Sequence, residues 1–188
     1  RQAVLRGWSY GFGMFAAGTS WVYVSIHDYG AASPPLAVFL TLLFVGGLGL
    51  LFALSAWVWT RWLRRVEAPL ADALAFAALT FVAALWLAQE AFRSWFLTGF
   101  PWLYAGYSQL DGPLAGLAPV GGVWLLSFAL ALSAALLVNL AQLRARKAFL
   151  AIRVVLLVAP WIAGIVLKGH AWTQPKGEPL SVSAMQGN

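Results

Sequence analysis

The chain has 188 residues, of which 62% are hydrophobic and only 10% charged, with a mean hydropathy of +0.79. A soluble domain carries about 25% charge, so this composition excludes one and predicts an integral membrane protein. Cysteine is absent, which excludes a disulfide framework, a thiolate metal site and a cysteine nucleophile within these residues. The net charge of +6 does not mark a nucleic-acid binder, because the basic residues sit in short runs between apolar stretches, as topology determinants do.

Five apolar stretches read as membrane helices, giving an all-α polytopic bundle. The first, Gly7 to Ile26, would reach about 30 Å as a helix. Its Gly7-xxx-Gly11 and Gly13-xxx-Ala17 spacings leave one side without bulk, as close helix contacts require. Gly11-Phe-Gly13 is no dinucleotide loop, since the third glycine of that fingerprint falls on Ala16 and no strand precedes it. Trp21 and Tyr23 mark the far interface of this span.

His27 to Pro35 is a turn by its Gly and Pro content. Leu36 to Thr60 is the second span, with Gly46, Gly47 and Gly49 as a notch. After Arg61, Arg64 and Arg65 comes the third, Pro69 to Phe92, whose proline suits a first helical turn. Val120 to Leu143 is the fourth. Arg144, Arg146 and Lys147 lead to the fifth, Phe149 to Leu167, in which Pro160 predicts a kink.

Between the third and fourth spans lies the interval that organises the chain, Glu90 to Pro119. It holds Phe92, Trp95, Phe96, Phe100, Trp102, Tyr104 and Tyr107, and is broken repeatedly by glycine and proline. Such a stretch does not continue a helix, and bare irregular backbone is not tolerated in hydrocarbon. It is therefore expected at a membrane interface or buried in protein, with its rings at headgroup depth.

Glu90 and Arg93 are three apart and share a helix face. Charges at such depth raise a functional hypothesis. The plainer reading, which we favour, is a salt bridge that pins the helix end to the loop; a pinned loop can also shape a lipid portal. Gly99-Phe-Pro-Trp102 sets a rigid indole at a defined angle, because proline fixes its own backbone torsion, either as a simple anchor or as the edge of that portal. His27 and His170 lack metal-ligand spacing. Ser108 and Asp111 lack a local histidine to complete a nucleophilic relay.

The tail changes character after Lys168. Residues 169–188 read as a linker followed by a strand, Leu180 to Met185, where apolar and polar residues alternate. With five spans the two ends lie on opposite sides. Nine of the twelve Lys and Arg residues (Arg1, Arg6, Arg61, Arg64, Arg65, Arg144, Arg146, Lys147 and Arg153) then share one side. Basic loops stay cytoplasmic, which puts the aromatic interval, 93–119, and the tail outside. An opening at Arg1 and an isolated strand at the end suggest part of a longer polypeptide.

Trp21-Val-Tyr-Val-Ser-Ile26, Arg93-Ser-Trp-Phe-Leu-Thr-Gly-Phe-Pro-Trp102, Gly106-Tyr-Ser-Gln109 and Asp111-Gly-Pro113 together resemble the apolipoprotein N-acyltransferase family. The tail from Leu180 resembles the first strand of that family's nitrilase-like α/β domain. The resemblance implies a bacterial inner-membrane enzyme that needs no cofactor. It would move an acyl chain from a phospholipid to the N-terminal amine of a diacylated lipoprotein, through a thioester on a Glu-Lys-Cys triad. No residue here matches that triad, so these residues alone are expected to be inactive. What carries over is a lipid portal formed by Trp102, Phe100, Pro101, Gly99, Tyr107, Trp21 and Tyr23, supported by Glu90 and Arg93. The rival readings are a non-enzymatic lipid- or partner-binding membrane module and a small transporter; the second lacks polar residues near midplane, Asn139 being the nearest.

Overall fold

A computed structural model describes residues 1–63, 71–142, 147–178 and 180–186. Six α-helices form it: α1 (Gln2–Gly18), α2 (Trp21–Val24), α3 (Pro34–Val58), α4 (Ala71–Arg93), α5 (Ala118–Gln142) and α6 (Lys147–Lys168). Three are long and apolar enough to cross a membrane among the described residues, within Pro34–Arg61, Pro113–Ala141 and Leu150–Lys168. Arg64, Arg65, Pro69, Arg144 and Arg146, which entered the expected topology, lie outside the described residues.

The first expected span is not one helix. α1 stops at Gly18, and its 17 residues fall short of the roughly 20 that cross hydrocarbon. Thr19 is fully buried, and both its backbone N–H and its hydroxyl donate to the Phe15 carbonyl, at 2.8 and 2.7 Å. Such side-chain bonding competes with the helical ladder. Leu103 from the aromatic interval packs where Gly18 has no side chain. The chain then turns through α2 into a wide helical turn, Ser25–Tyr29.

α1 lies along α3, as the glycine spacing suggested, but through only some of those glycines. A Cβ at Gly11 would sit 2.7 Å from the Phe52 ring and 3.0 Å from the Gly49 Cα, and one at Gly7 would sit 2.6 Å from the Phe52 carbonyl oxygen. Trp8 Nε1 donates to the Gly46 carbonyl at 3.1 Å. Gly13 and Gly47 meet nothing within 4 Å. Gly11→Leu is therefore expected to lower the thermal midpoint in detergent by about 2–10 °C, from an overpacking cost of about 1–3 kcal/mol. Gly13→Leu should leave the midpoint nearly unchanged; equal effects at both sites would contradict this packing.

α5 begins with a break. Gly121 and Gly122 are non-helical, and Gly122 has φ +63° and ψ −166°, a conformation essentially reserved for glycine. α4 packs along α5, and the turn Pro113–Leu117 packs on α6. Two apolar clusters result. Phe15, Val45 and Phe52 sit between α1 and α3, with Trp86, Phe100 and Leu103 against them; Leu114, Leu117, Leu126 and Ala129 join the turn to α5, with Trp161 and Leu167 of α6 against them.

Arg153, placed with eight other basic residues on one side of the membrane in the sequence reading, is fully buried on α6, with 1% of its surface exposed. The helix runs on through Pro160. The strand expected at Leu180 to Met185 is not formed. Leu180, Val182 and Met185 are almost fully exposed, and a strand without a partner has no ladder to join.

Candidate functional site

The aromatic interval folds as three short 3-10 turns, Phe96–Thr98, Ala105–Gln109 and Pro113–Leu117. Its backbone is strained. Leu97, Thr98 and Leu103 have φ of 50°, 74° and 58°, each costing of order 1–3 kcal/mol and persisting only where the surroundings hold it. Gly99, at φ +90°, could not carry a side chain for a second reason, because its Cβ would strike the Ser94 carbonyl oxygen.

Glu90 and Arg93 supply the restraint. Both are buried, 1% and 3% exposed. They form no ion pair within 4.0 Å, so the expected salt bridge is replaced by two separate grips on the loop main chain. Glu90 Oε1 accepts from the Ala105 N–H and from Trp86 Nε1, both at 2.8 Å. Arg93 Nη1 donates to the Trp102 carbonyl at 2.7 Å, while the Arg93 carbonyl accepts the Phe100 N–H at 2.6 Å. The guanidinium lies between the Phe15 and Tyr104 rings, 5.1 Å from each centroid, within cation–π range. A third tie is deeper: the Gly106 N–H donates to Ser127 Oγ of α5 at 2.8 Å.

Held this way, the loop presents a row of rings. Phe44 of α3 meets Phe100 edge-on at 4.9 Å, Phe100 stacks on Trp102 at 5.1 Å, and Trp102 meets Trp21 of α2 at 5.6 Å. Trp102 and Trp21 remain 49% and 42% exposed. Pro101, between Phe100 and Trp102 in sequence, is exposed. The structure thus brings together Trp21, Gly99, Phe100, Pro101 and Trp102. It does not bring in Tyr107, which stacks on Tyr104 at 5.8 Å, or Tyr23, which meets His27 at 5.5 Å. Phe44 belongs to the row and was missed; nothing in an apolar helix marks one phenylalanine from another.

Other candidates resolve into structure. Ser108 Oγ donates to the Ala105 carbonyl, and the Asp111 carbonyl accepts from Lys168 Nζ at 2.9 Å. His27 Nδ1 lies 2.8 Å from the Ala32 carbonyl oxygen. Among the described residues no cluster of side chains could hold a metal ion.

Tyr104, in the loop, is buried, and that burial pushes its phenol above the ordinary value of 10.0; Arg93 opposes the rise, and Glu90 and Tyr107 add to it. A phenol raised on folding contributes stability that is whole below its unfolded value and is lost as pH rises through its folded one. The difference between the alkaline absorbance titrations of wild type and Tyr104→Phe should have its midpoint above the ordinary tyrosine value of 10.0. A midpoint at or below that value would contradict the burial.

Beneath the loop is a cavity of about 780 Å³. Tyr10 and Met14 of α1, Val82 and Trp86 of α4, and Ala131 and Ala135 of α5 form its walls. Leu103, Ala105 and Ser108 roof it, and Trp59 and Asn139 lie at the end away from the loop. Trp86 is thus both a cavity wall and a donor to Glu90.

Helices of bilayer length, capped by an aromatic loop gripped from below, define an integral membrane helical domain. The profile of the apolipoprotein N-acyltransferase N-terminal domain matches residues 1–136. Relatives called apolipoprotein N-acyltransferase are 71% identical in Pseudomonas syringae pv. tomato and 69% identical in Azotobacter vinelandii over the whole chain, and 40% identical in Coxiella burnetii over 97% of it. The chain belongs to the apolipoprotein N-acyltransferase family. It spans about 36% of the length of these curated relatives.

Proposed function

We propose that this chain is the membrane part of an enzyme that transfers an acyl chain from a phospholipid to the N-terminal amine of a diacylglyceryl-cysteine lipoprotein. The observation that carries this reading is the strained aromatic loop, fixed by Glu90 and Arg93 and exposing Trp102 and Trp21. Indoles suit the boundary between acyl chains and headgroups. Trp102, Phe100, Pro101, Gly99 and Trp21 border the mouth through which lipid reaches the catalytic groups. Glu90 and Arg93 hold that mouth in shape.

The chemistry is ping-pong. A cysteine thiolate attacks the phospholipid ester carbonyl, the carbon–oxygen bond breaks, and the lysophospholipid leaves with a proton. The lipoprotein amine then attacks the thioester, forms the amide and releases the thiol. This chain has no cysteine, so the nucleophile would come from the remaining length of the parent, in a nitrilase-like domain whose first strand begins near Leu180. Residues 1–168 form the membrane domain, with five spans in the inner membrane, the first of them broken at Thr19. The loop 93–119 and the tail 169–188 face the periplasm, following the distribution of basic residues.

The test is acyl transfer from a labelled phospholipid to a synthetic diacylglyceryl-cysteine peptide. The complete polypeptide should yield the N-acylated peptide, and the 188-residue chain should yield none. Lipid binding by the complete polypeptide without transfer would overturn the enzymatic reading in favour of a binding module.

A further inference from the structure

Three polar atoms where the loop meets α4 have no hydrogen-bond partner in the protein: Glu90 Oε2, Arg93 Nε and Tyr104 Oη. Their residues are only 1%, 3% and 4% exposed, so bulk solvent does not serve them. They belong to one locus. Glu90 and Arg93 share a face of α4, the guanidinium carbon lies 5.1 Å from the Tyr104 ring centroid, and Glu90 and Arg93 both act electrostatically on the Tyr104 phenol. Ser94 Oγ also acts on that phenol, but from beyond bonding distance, and its own proton goes to the Ala91 carbonyl at 2.6 Å.

A buried donor or acceptor left unpaired is costly, and three at one locus call for a partner. Glu90 and Arg93 could serve each other, yet they form no ion pair within 4.0 Å. Each is held by its grip on the loop: Glu90 Oε1 by the Ala105 and Trp86 N–H groups, Arg93 Nη1 by the Trp102 carbonyl. An acid and a base kept apart in this way are joined only through a third body. The chemistry limits what that body is. The guanidinium repels a cation, the Glu90 carboxyl group offers an anion no donor, and the burial shuts out a lipid headgroup. A small neutral molecule that both donates and accepts is left. We propose that one water molecule is bound here, accepting from Arg93 Nε–H, donating to Glu90 Oε2 and sharing a third bond with the Tyr104 hydroxyl, which can donate or accept. A buried water makes about three such bonds. This water is a structural ligand: it joins the two separate grips on the loop into one network. The site does not depend on the acyl-transfer reading.

The experiment is pulsed X-ray radiolysis of the complete polypeptide in lipid nanodiscs, in water labelled with heavy oxygen, read by mass spectrometry. Radicals born on a bound water label the side chains around it, and a scavenger in bulk solvent does not intercept them. Heavy oxygen should enter Tyr104 at least several times more than Phe15, which is 0% exposed and packs on the same guanidinium. A scavenger that suppresses labelling of the exposed Trp102 several-fold should leave Tyr104 nearly unchanged. Tyr104→Phe keeps the ring and removes one of the three partners, so it should cut the label at this position several-fold. Glu90→Gln retains a polar group that can bond the water and should leave the label at Tyr104 close to wild type. The wild-type comparison decides alone if a variant fails to fold. Label at Tyr104 no greater than at Phe15, or suppressed in parallel with Trp102, would overturn the proposal. So would a label at position 104 undiminished in folded Tyr104→Phe.

Discussion

Glu90→Ala is expected to free the aromatic loop and make it the first point of proteolytic attack. The substitution leaves the Ala105 N–H and Trp86 Nε1–H without their shared acceptor. Each buried donor left unpaired costs about 1–3 kcal/mol. That is comparable with the strain the loop carries at Leu97, Thr98 and Leu103, so the restraint and the strain it opposes are of one size. Chymotrypsin should then cleave between Trp95 and Tyr107 at least several times faster than in wild type, with α-helical content retained. Glu90→Gln keeps an oxygen acceptor in place and should behave far closer to wild type. Equal sensitivity of Glu90→Ala and wild type would show that the loop stands without this carboxyl group.

Gly164→Val should be the most destabilising single substitution in the second half of the chain. A Cβ at Gly164 would strike the Pro113 carbonyl oxygen, and one at Gly116 would strike the Gly164 carbonyl oxygen and the Lys168 nitrogen. Both clashes set a Cβ against backbone, so no rotamer change relieves them. The turn and α6 must separate, undoing the cluster of Leu114, Leu117 and Leu126 with Trp161 and Leu167. The cost is expected at about 3 kcal/mol or more, at the upper end of overpacking, and is read as a thermal midpoint about 6–12 °C lower in detergent. Gly169→Val is the control, since a Cβ there meets nothing within 4 Å. A midpoint unchanged by Gly164→Val would contradict the close crossing.

Local signals in the sequence located the loop better than they described it. Glycine and proline spacing marked the loop because those residues act on their own backbone torsions. Glu90 and Arg93 could be placed on one face because three residues is nearly one helical turn. Their partners in the loop were not legible, because these are main-chain atoms of a segment that returns nine and fifteen residues later. A contiguous apolar run also concealed the break at Thr19, which depends on Leu103 arriving from far along the chain. The cavity was less legible still: Tyr10, Trp86 and Asn139 meet only after three helices pack. The one local hint was that Ala131, Ala134 and Ala135 share one face of α5.

The most direct measurement is the kinetics of acyl transfer by the complete polypeptide carrying Trp102→Ala, with the phospholipid mole fraction varied in mixed micelles. Trp102 belongs to a lipid mouth in this account and touches no reacting group. Its loss should raise the phospholipid KM by about tenfold, equivalent to about 1.4 kcal/mol of lost contact, and leave kcat within about twofold. Trp102→Phe should recover most of the difference. An unchanged KM, or a fall in kcat with KM unaltered, would contradict the assignment of the aromatic loop as the lipid mouth.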